Sequence, residues 1–195
     1  MSPRPRTVDD AAILMACQRV MQRVGPSSFT LALVAKEAGL APATIVQRFG
    51  SKRELIRTLA SGARGQGAAY VAELRTRFTS PLAILREFLL CWSQMASTPE
   101  EMANHLAYLQ MDLTDPVLLE NLVELSAENL QHTAALLREA HAAGELTIED
   151  AEGLSRALNA TVSGGLLAWA TFREGTARAW LERDLDVLLA PLQAK

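Results

Sequence analysis

T-L-A-L-V-A-K-E-A-G-L-A-P-A-T-I-V-Q-R-F-G-S-K-R-E-L, Thr30 to Leu55, is the stretch whose reading decides the fold. Thr30 can cap a helix whose apolar positions Leu31, Val34, Ala35 and Ala38 follow i, i+3, i+4, i+7 spacing. Gly39 stops that helix, because glycine accepts the left-handed conformation at a helix end without a Cβ penalty. Two residues later Pro42, with its fixed φ, suits the first turn of a second helix that carries Ile45 and Phe49 on one face. Gly50 ends it, and Ser51-Lys52-Arg53-Glu54 has the S-x-x-E form of a capping box for a third helix.

Two short helices around a tight turn are the layout of a helix-turn-helix, whose second helix enters the major groove of DNA. A helical wheel sets Ala43, Thr44 and Gln47 opposite the Ile45/Phe49 face, with Val46 and Arg48 on the flanks. Gln47 and Thr44 can hydrogen-bond base edges or phosphates; Arg48 and Lys52 can meet phosphates, as can Thr30 at the start of the first helix. The DNA-contacting set read from the sequence is therefore Thr30, Ala43, Thr44, Val46, Gln47, Arg48 and Lys52. A small helical hairpin with no DNA partner has the same geometry, so spacing alone leaves both open.

The segment resembles the DNA-binding domain of the TetR family of transcriptional regulators. Thr30, Val34, Ala35, Ala38, Gly39, Leu40, Thr44, Ile45, Phe49, Ser51, Lys52, Glu54 and Leu55 stand in family order without gaps. The departures are Val46 where the family usually has tyrosine, Gln47 and Arg48 where it often has aromatic residues or histidine, and Ala41 where serine is common. The resemblance implies DNA binding and leaves the operator open.

The charge distribution points the same way. Net charge is −3, but residues 1–58 hold nine basic and four acidic residues, so a head of +5 sits on a remainder of −8. A basic head on an acidic body suits a DNA reader with a separate sensor. With 49% hydrophobic residues the chain is long and apolar enough to bury a core, which excludes a disordered chain. No run of 18 apolar residues and no signal-like leader is seen, so a cytoplasmic protein with no membrane partner is expected. Cys17 and Cys91 lie in apolar helical patterns and read as buried free thiols rather than a disulfide.

Outward from the central stretch, Thr7 is expected to open the first helix with Asp10 as its capping-box partner, and Ile13, Ala16, Cys17, Val20 and Val24 form its buried stripe. Arg4 and Arg6 precede it in an arm that touches the DNA backbone or is simply solvated. After the central stretch a fourth helix is expected from Ser51 to about Phe78. Its Gly62, Gly65 and Gly67 serve either close packing or a compliant joint, each costing roughly 1 kcal/mol against alanine. Ser80-Pro81, Thr98-Pro99, Asp115-Pro116, Thr147-Ile148-Glu149-Asp150 and Thr176 signal five further helix starts. The expectation is an all-α chain of about nine helices. It comprises a helix-turn-helix domain over 1–55 and a helical ligand-binding and dimerisation domain over 56–195.

The eighth helix is apolar on nearly every side from Ala157 to Phe172, with Gly164 and Gly165 where another helix can approach. A helix apolar all round is buried all round, in the monomer's interior or against another subunit. In the TetR family the eighth and ninth helices of two subunits form a four-helix bundle, so the resemblance implies a homodimer.

His105, His132 and His141 lack metal-ligand spacing, no nucleophile motif is present, and no glycine loop follows a strand; no enzyme, metal or cofactor is expected. Phe88, Trp92, Met95, Met102, Tyr108, Met111, Trp169 and Phe172 are core or line an apolar cavity, with His105, Tyr108, Gln110 or Asn159 as polar anchors. The candidate pocket set is Phe88, Trp92, Met95, His105, Tyr108, Met111 and Trp169. The functional expectation is a repressor that binds a palindromic double-stranded operator as a dimer and is released by a small apolar effector. The alternative is a helical small-molecule binding or interaction protein without operator recognition.

Overall fold

The computed structural model describes residues 8–63 and 65–193. Arg4, Arg6 and Thr7, to which the sequence assigned an arm and a cap, lie outside the described residues. Ten α-helices follow one another: α1 (Asp10–Arg23), α2 (Leu31–Ala38), α3 (Pro42–Phe49), α4 (Lys52–Ser61), α5 (Gln66–Arg77), α6 (Pro81–Leu90), α7 (Pro99–Thr114), α8 (Pro116–Ala142), α9 (Ala151–Phe172) and α10 (Ala177–Leu189). Short 3₁₀ segments, Cys91–Met95 and Ala190–Leu192, extend α6 and α10. The chain is all-α, as the periodicity predicts.

Most of the expected starts are made by the residues that signal them. The hydroxyls of Thr30, Ser51, Ser80, Thr98 and Thr176 accept from the amides of Leu33, Glu54, Ala83, Glu101 and Ala179, and the Asp115 carboxylate accepts from Val117 and Leu118. Each such cap satisfies a backbone donor that has no partner within its helix. Two starts differ. Helix α1 starts at Asp10 and is capped by Asp9, which accepts from Ala12. Helix α9 starts at Ala151 and is capped by Asp150, which accepts from Gly153, rather than by Thr147, whose amide instead donates to the Leu192 carbonyl and ties the Ala190–Leu192 turn to the α8–α9 loop.

The expected single helix from Ser51 to Phe78 is two. Gly65 adopts φ +73°, outside helical space, and separates α4 from α5, which brings the helix count to ten. Two hydrophobic clusters result. One, in the body, gathers Val71, Leu74, Phe88, Leu89, Leu137, Leu158, Leu166, Trp169, Leu181 and Leu185 from α5, α6, α8, α9 and α10. The other gathers Ile13, Cys17, Val20, Phe29, Val34, Ile45 and Leu55 of the head, and it is completed by Tyr108 of α7 and Leu118 of α8. The expected domain boundary at 55/56 falls inside α4. Each fully buried leucine or isoleucine in these clusters contributes about 1.5–3 kcal/mol.

Candidate nucleic-acid interface

The head is built on the buried face of α1. Ile13, Ala16, Cys17 and Val20 are fully enclosed and pack against α2, α4 and α7, while α3 is carried on α2 and α4. Gly39 (φ +69°) makes the turn between α2 and α3, and the Leu40 amide returns to the Ala35 carbonyl at 2.8 Å. Ile45 is the buried anchor of α3 and Phe49 packs beside it, which turns the opposite face of the helix outward. Ala43, Val46, Gln47 and Arg48 are exposed there, and Thr44 is half-buried. Val46, 48% exposed, is an apolar side chain held in water on the reading face. Of the residues the sequence assigned to the groove, Ala43, Val46 and Gln47 are thus exposed on this outward side and Thr44 is half-buried beside Ile45.

The charged members are not free. Arg48 reaches back across the head: its guanidinium donates to the Val8 carbonyl and pairs with Asp10 at 2.6 Å, bracing the end of α3 against the start of α1. Lys52 Nζ donates to the Pro26 carbonyl at 2.6 Å and lies 5.4 Å from the centroid of the Phe29 ring. Thr30 spends its hydroxyl on the cap of α2. Arg19 and Arg23 share Glu37, at 2.9 and 3.2 Å, and hold its carboxyl below the usual range. Much of the head's positive charge is therefore paired internally, a fact hidden from composition because the partners are remote in sequence.

The head is joined to the body by α7 and α8. The Tyr108 hydroxyl donates to the Val24 carbonyl at 3.2 Å while its ring meets Phe29 edge-on, and Asn104 donates to the Gln22 carbonyl at 3.0 Å. At the other edge, Asp115 takes Arg53 and Arg57 of α4. Beside it lies a groove of about 430 Å³ lined by Lys52, Arg53, Ile56, Met111, Thr114, Asp115 and Leu118.

The candidate pocket residues divide between these regions. Phe88 and Trp169 are buried in the body cluster, with Trp92 and Met95 against it, whereas Tyr108 and Met111 belong to the head's cluster. His105 is partly buried, which pulls its pKa below the ordinary value. Sequence reading named Asn159 as a polar anchor but missed the strip it belongs to within the body. Thr133 and Ser155 are buried, Asn159 donates to the Thr133 hydroxyl at 3.1 Å, and His132 meets the Phe88 ring edge-on at 5.9 Å. The signal was Asn129, His132 and Thr133 recurring at i, i+3, i+4 on the inner face of α8. Among the described residues no group of three or more His, Cys, Asp or Glu could hold a metal ion, and no helix is long and apolar enough to cross a membrane.

A basic helix-turn-helix head on a larger helical body defines the class: a DNA-binding transcriptional regulator. Residues 13–59 match the family described as bacterial regulatory proteins, tetR family, so the head is similar to the DNA-binding domain of that family. No curated protein matches the sequence. The fold is that of several solved regulators. A TetR-family regulator from Agrobacterium tumefaciens superposes with TM-score 0.74 at 23% identity, covering 95% of this chain and 97% of its own. A transcriptional regulator from Saccharomonospora viridis in complex with choline gives 0.69 at 21%, covering 91% and 93%. The regulator FadR from Bacillus subtilis in complex with stearoyl-CoA gives 0.68 at 18%, covering 95% and 100%.

Proposed function

We propose that this protein is a cytoplasmic homodimeric repressor that reads a palindromic operator through α3 and leaves it when a small apolar effector binds the body. The observation that carries the reading is the outward face of α3. Gln47 and Val46 stand clear of the core, with Thr44 half-buried beside them, on a helix whose other face is anchored by Ile45, inside the segment that matches the family. Gln47 is the base reader, able to pair bidentately with adenine, and Thr44 and Val46 suit a thymine methyl or a phosphate. Lys52 and Arg48 supply phosphate contacts once their internal partners are exchanged for DNA.

Dimerisation is supported by a second surface. Leu167 (50% exposed) and Phe172 (64%) of α9 and Val187 (74%) of α10 leave an apolar face uncovered, continued by Ala160, Ser163 and Gly164. A second copy covers it, placing four helices in one bundle and the two α3 helices near the 34–36 Å that successive major grooves demand. The effector site is assigned to the body around Phe88, Trp92, Met95 and Trp169, with the His132–Thr133–Asn159 strip as its polar element. Two solved neighbours were captured with an amphiphilic or cationic small molecule, which supports a ligand-responsive body in this chain.

Selection of bound duplexes from a random pool by the purified protein tests the reading. A single palindromic consensus is expected; uniform enrichment would favour the alternative, a helical small-molecule binding protein without operator recognition.

A further inference from the structure

The join between head and body is made at its outer edge by one carboxylate. Asp115 stands at the start of α8, where it accepts from the Val117 and Leu118 amides at 3.0 and 3.4 Å. The same carboxylate accepts from Arg53 Nε and Nη2 at 3.0 and 2.6 Å and from Arg57 Nη2 at 3.2 Å. Both arginines lie on α4, which follows the reading helix after only Gly50 and Ser51. The Asp115 side chain is 11% exposed and that of Arg53 is 63% exposed, so the carboxylate is covered by cations whose outer members face solvent. A single body residue therefore decides two things: where α4 sits, and whether its cations are available to anything else.

We propose that Asp115 is a specificity-determining residue of the DNA reader, holding Arg53 off the nucleic-acid backbone and fixing α4 against the body. The proposal rests on the DNA-binding reading above. Non-specific binding depends on the number of cations offered to phosphate. Specific binding depends in addition on two heads held at one spacing. Removing the charge of Asp115 moves these in opposite directions: Arg53, beside Lys52 at the start of α4, becomes a new phosphate contact, while the head loses its fixed seat. The carboxyl of Asp115 is held down to about 2 by Arg53 first and by Arg57, so it stays charged in any buffer used for DNA binding.

The test compares wild type, Asp115→Asn, the double variant Arg53→Gln/Arg57→Gln, and the triple combination. Asparagine is as good a helix cap as aspartate, so the start of α8 is kept. If Asp115→Asn loses its helical circular dichroism, Asp115→Ser replaces it. Each protein is titrated with the pool-selected operator and with a random-sequence duplex of equal length, at several salt concentrations. Amide exchange across α4 is read on the DNA-free proteins.

For Asp115→Asn the expected result is random-duplex affinity raised roughly three- to tenfold at low salt, with the salt dependence steeper by about one unit. The ratio of operator to random affinity falls at least as much, and α4 amides exchange faster. In the Arg53→Gln/Arg57→Gln background the same substitution changes neither random-duplex affinity nor α4 exchange by more than about twofold, since the groups it would release are gone. An unchanged affinity ratio overturns the proposal, as does an equal gain in random-duplex affinity in both backgrounds, which would be the effect of net charge alone. A wild-type protein that binds no duplex removes the DNA-binding reading itself. Exchange across α4 then still judges the latch, and unchanged exchange in Asp115→Asn overturns it.

Discussion

Head and body solve the same packing problem with different resources. The head uses three helices of 14, 8 and 8 residues, too short to be stable alone, and each is held by its cap, its turn glycine and one or two wholly buried anchors such as Ile45. The body uses helices of up to 27 residues that bury faces along their whole length and leave others bare. In the head, therefore, information is concentrated in a few local positions. In the body it lies in which side of a long helix meets which neighbour, and adjacent residues can have unrelated fates.

Gly164 and Gly165 give the sharpest instance. A Cβ on Gly165 would come within 2.8 Å of Leu181 and 2.7 Å of the Asp184 carboxylate, so this glycine is where α10 crosses α9 within one chain. A Cβ on Gly164 meets nothing within 4 Å. Gly165→Glu places a charge and five side-chain heavy atoms into that crossing beside Asp184, and a loss of more than about 3 kcal/mol, or no soluble protein, is expected. Gly164→Glu should fold with wild-type helical content, sediment as a monomer, and lose only the part of the melting temperature that depends on protein concentration. Dimeric Gly164→Glu would move the proposed subunit contact elsewhere.

The reading face comes next in size. Gln47→Ala should lose roughly 1–3 kcal/mol on the selected operator, relax one base position, and leave random DNA unaffected. Lys52→Ala should weaken operator and random duplex alike and flatten the salt dependence by about one unit. Because Lys52 also ties the α1–α2 loop through Pro26, it should lower the melting temperature as well. Equal losses on both duplexes for Gln47→Ala would remove base readout from α3.

These contrasts explain what the sequence disclosed. Thr30, Ser51, Ser80, Thr98, Asp115 and Thr176 were readable as caps because a cap is settled within three residues. Ile45 and Phe49 were readable as anchors because an eight-residue helix has one inner face. The partners of Arg48 and of Arg53 were not, since Asp10 and Asp115 lie 38 and 62 residues away and no period links them. Likewise Tyr108 and Met111 lie on the same helix as Met102 and Leu106 of the body, and only the packing of α7 against Phe29 assigns them to the head's cluster.

The head–body join also carries a pH signature. Asp112, one turn before Asp115, has its carboxyl pushed up to about 6, by burial first and by the neighbouring Asp115 charge second. A raised carboxyl binds its proton more tightly in the folded state, so its effect is stabilising below the unfolded value and is lost as pH rises through about 6. Asp115, held down to about 2, works the other way: its contribution is complete above the unfolded value and is lost as pH falls toward 2. Lowering the pH from 7 to 5 should therefore add about 1 kcal/mol through Asp112, worth about 2–4 °C in a chain of this size. His105, held below its ordinary value, works the other way, so the Asp112 part is read as the difference between wild type and Asp112→Asn. Asp112→Asn should abolish that gain; an unchanged pH dependence in the variant would assign it to another group.

The smallest effects belong to the glycines between α4 and α5, where the head ends and the body begins, and they separate three roles that composition merges. Gly62 has ordinary right-handed geometry, and a Cβ there would lie at contact distance, 3.5 Å, from the backbone of its own turn. Gly62→Ala should stabilise by about 0.4–1 kcal/mol by restricting the unfolded chain. Gly65 has free space around it but φ +73°, so Gly65→Ala should cost about 1 kcal/mol through backbone strain alone. At Gly67 the backbone is helical and the obstacle is a side chain: a Cβ would stand 3.0 Å from the His132 ring. Gly67→Ala gains helix propensity and loses by crowding a ring that packs on Phe88, so its sign reports how far His132 can yield. Combining Gly67→Ala with His132→Ala removes the obstacle, and the alanine at 67 should then be stabilising by about 1 kcal/mol. If it still destabilises when His132 is gone, the glycine is required for the bend between head and body rather than for packing, and the joint extends from Gly65 into the first turn of α5.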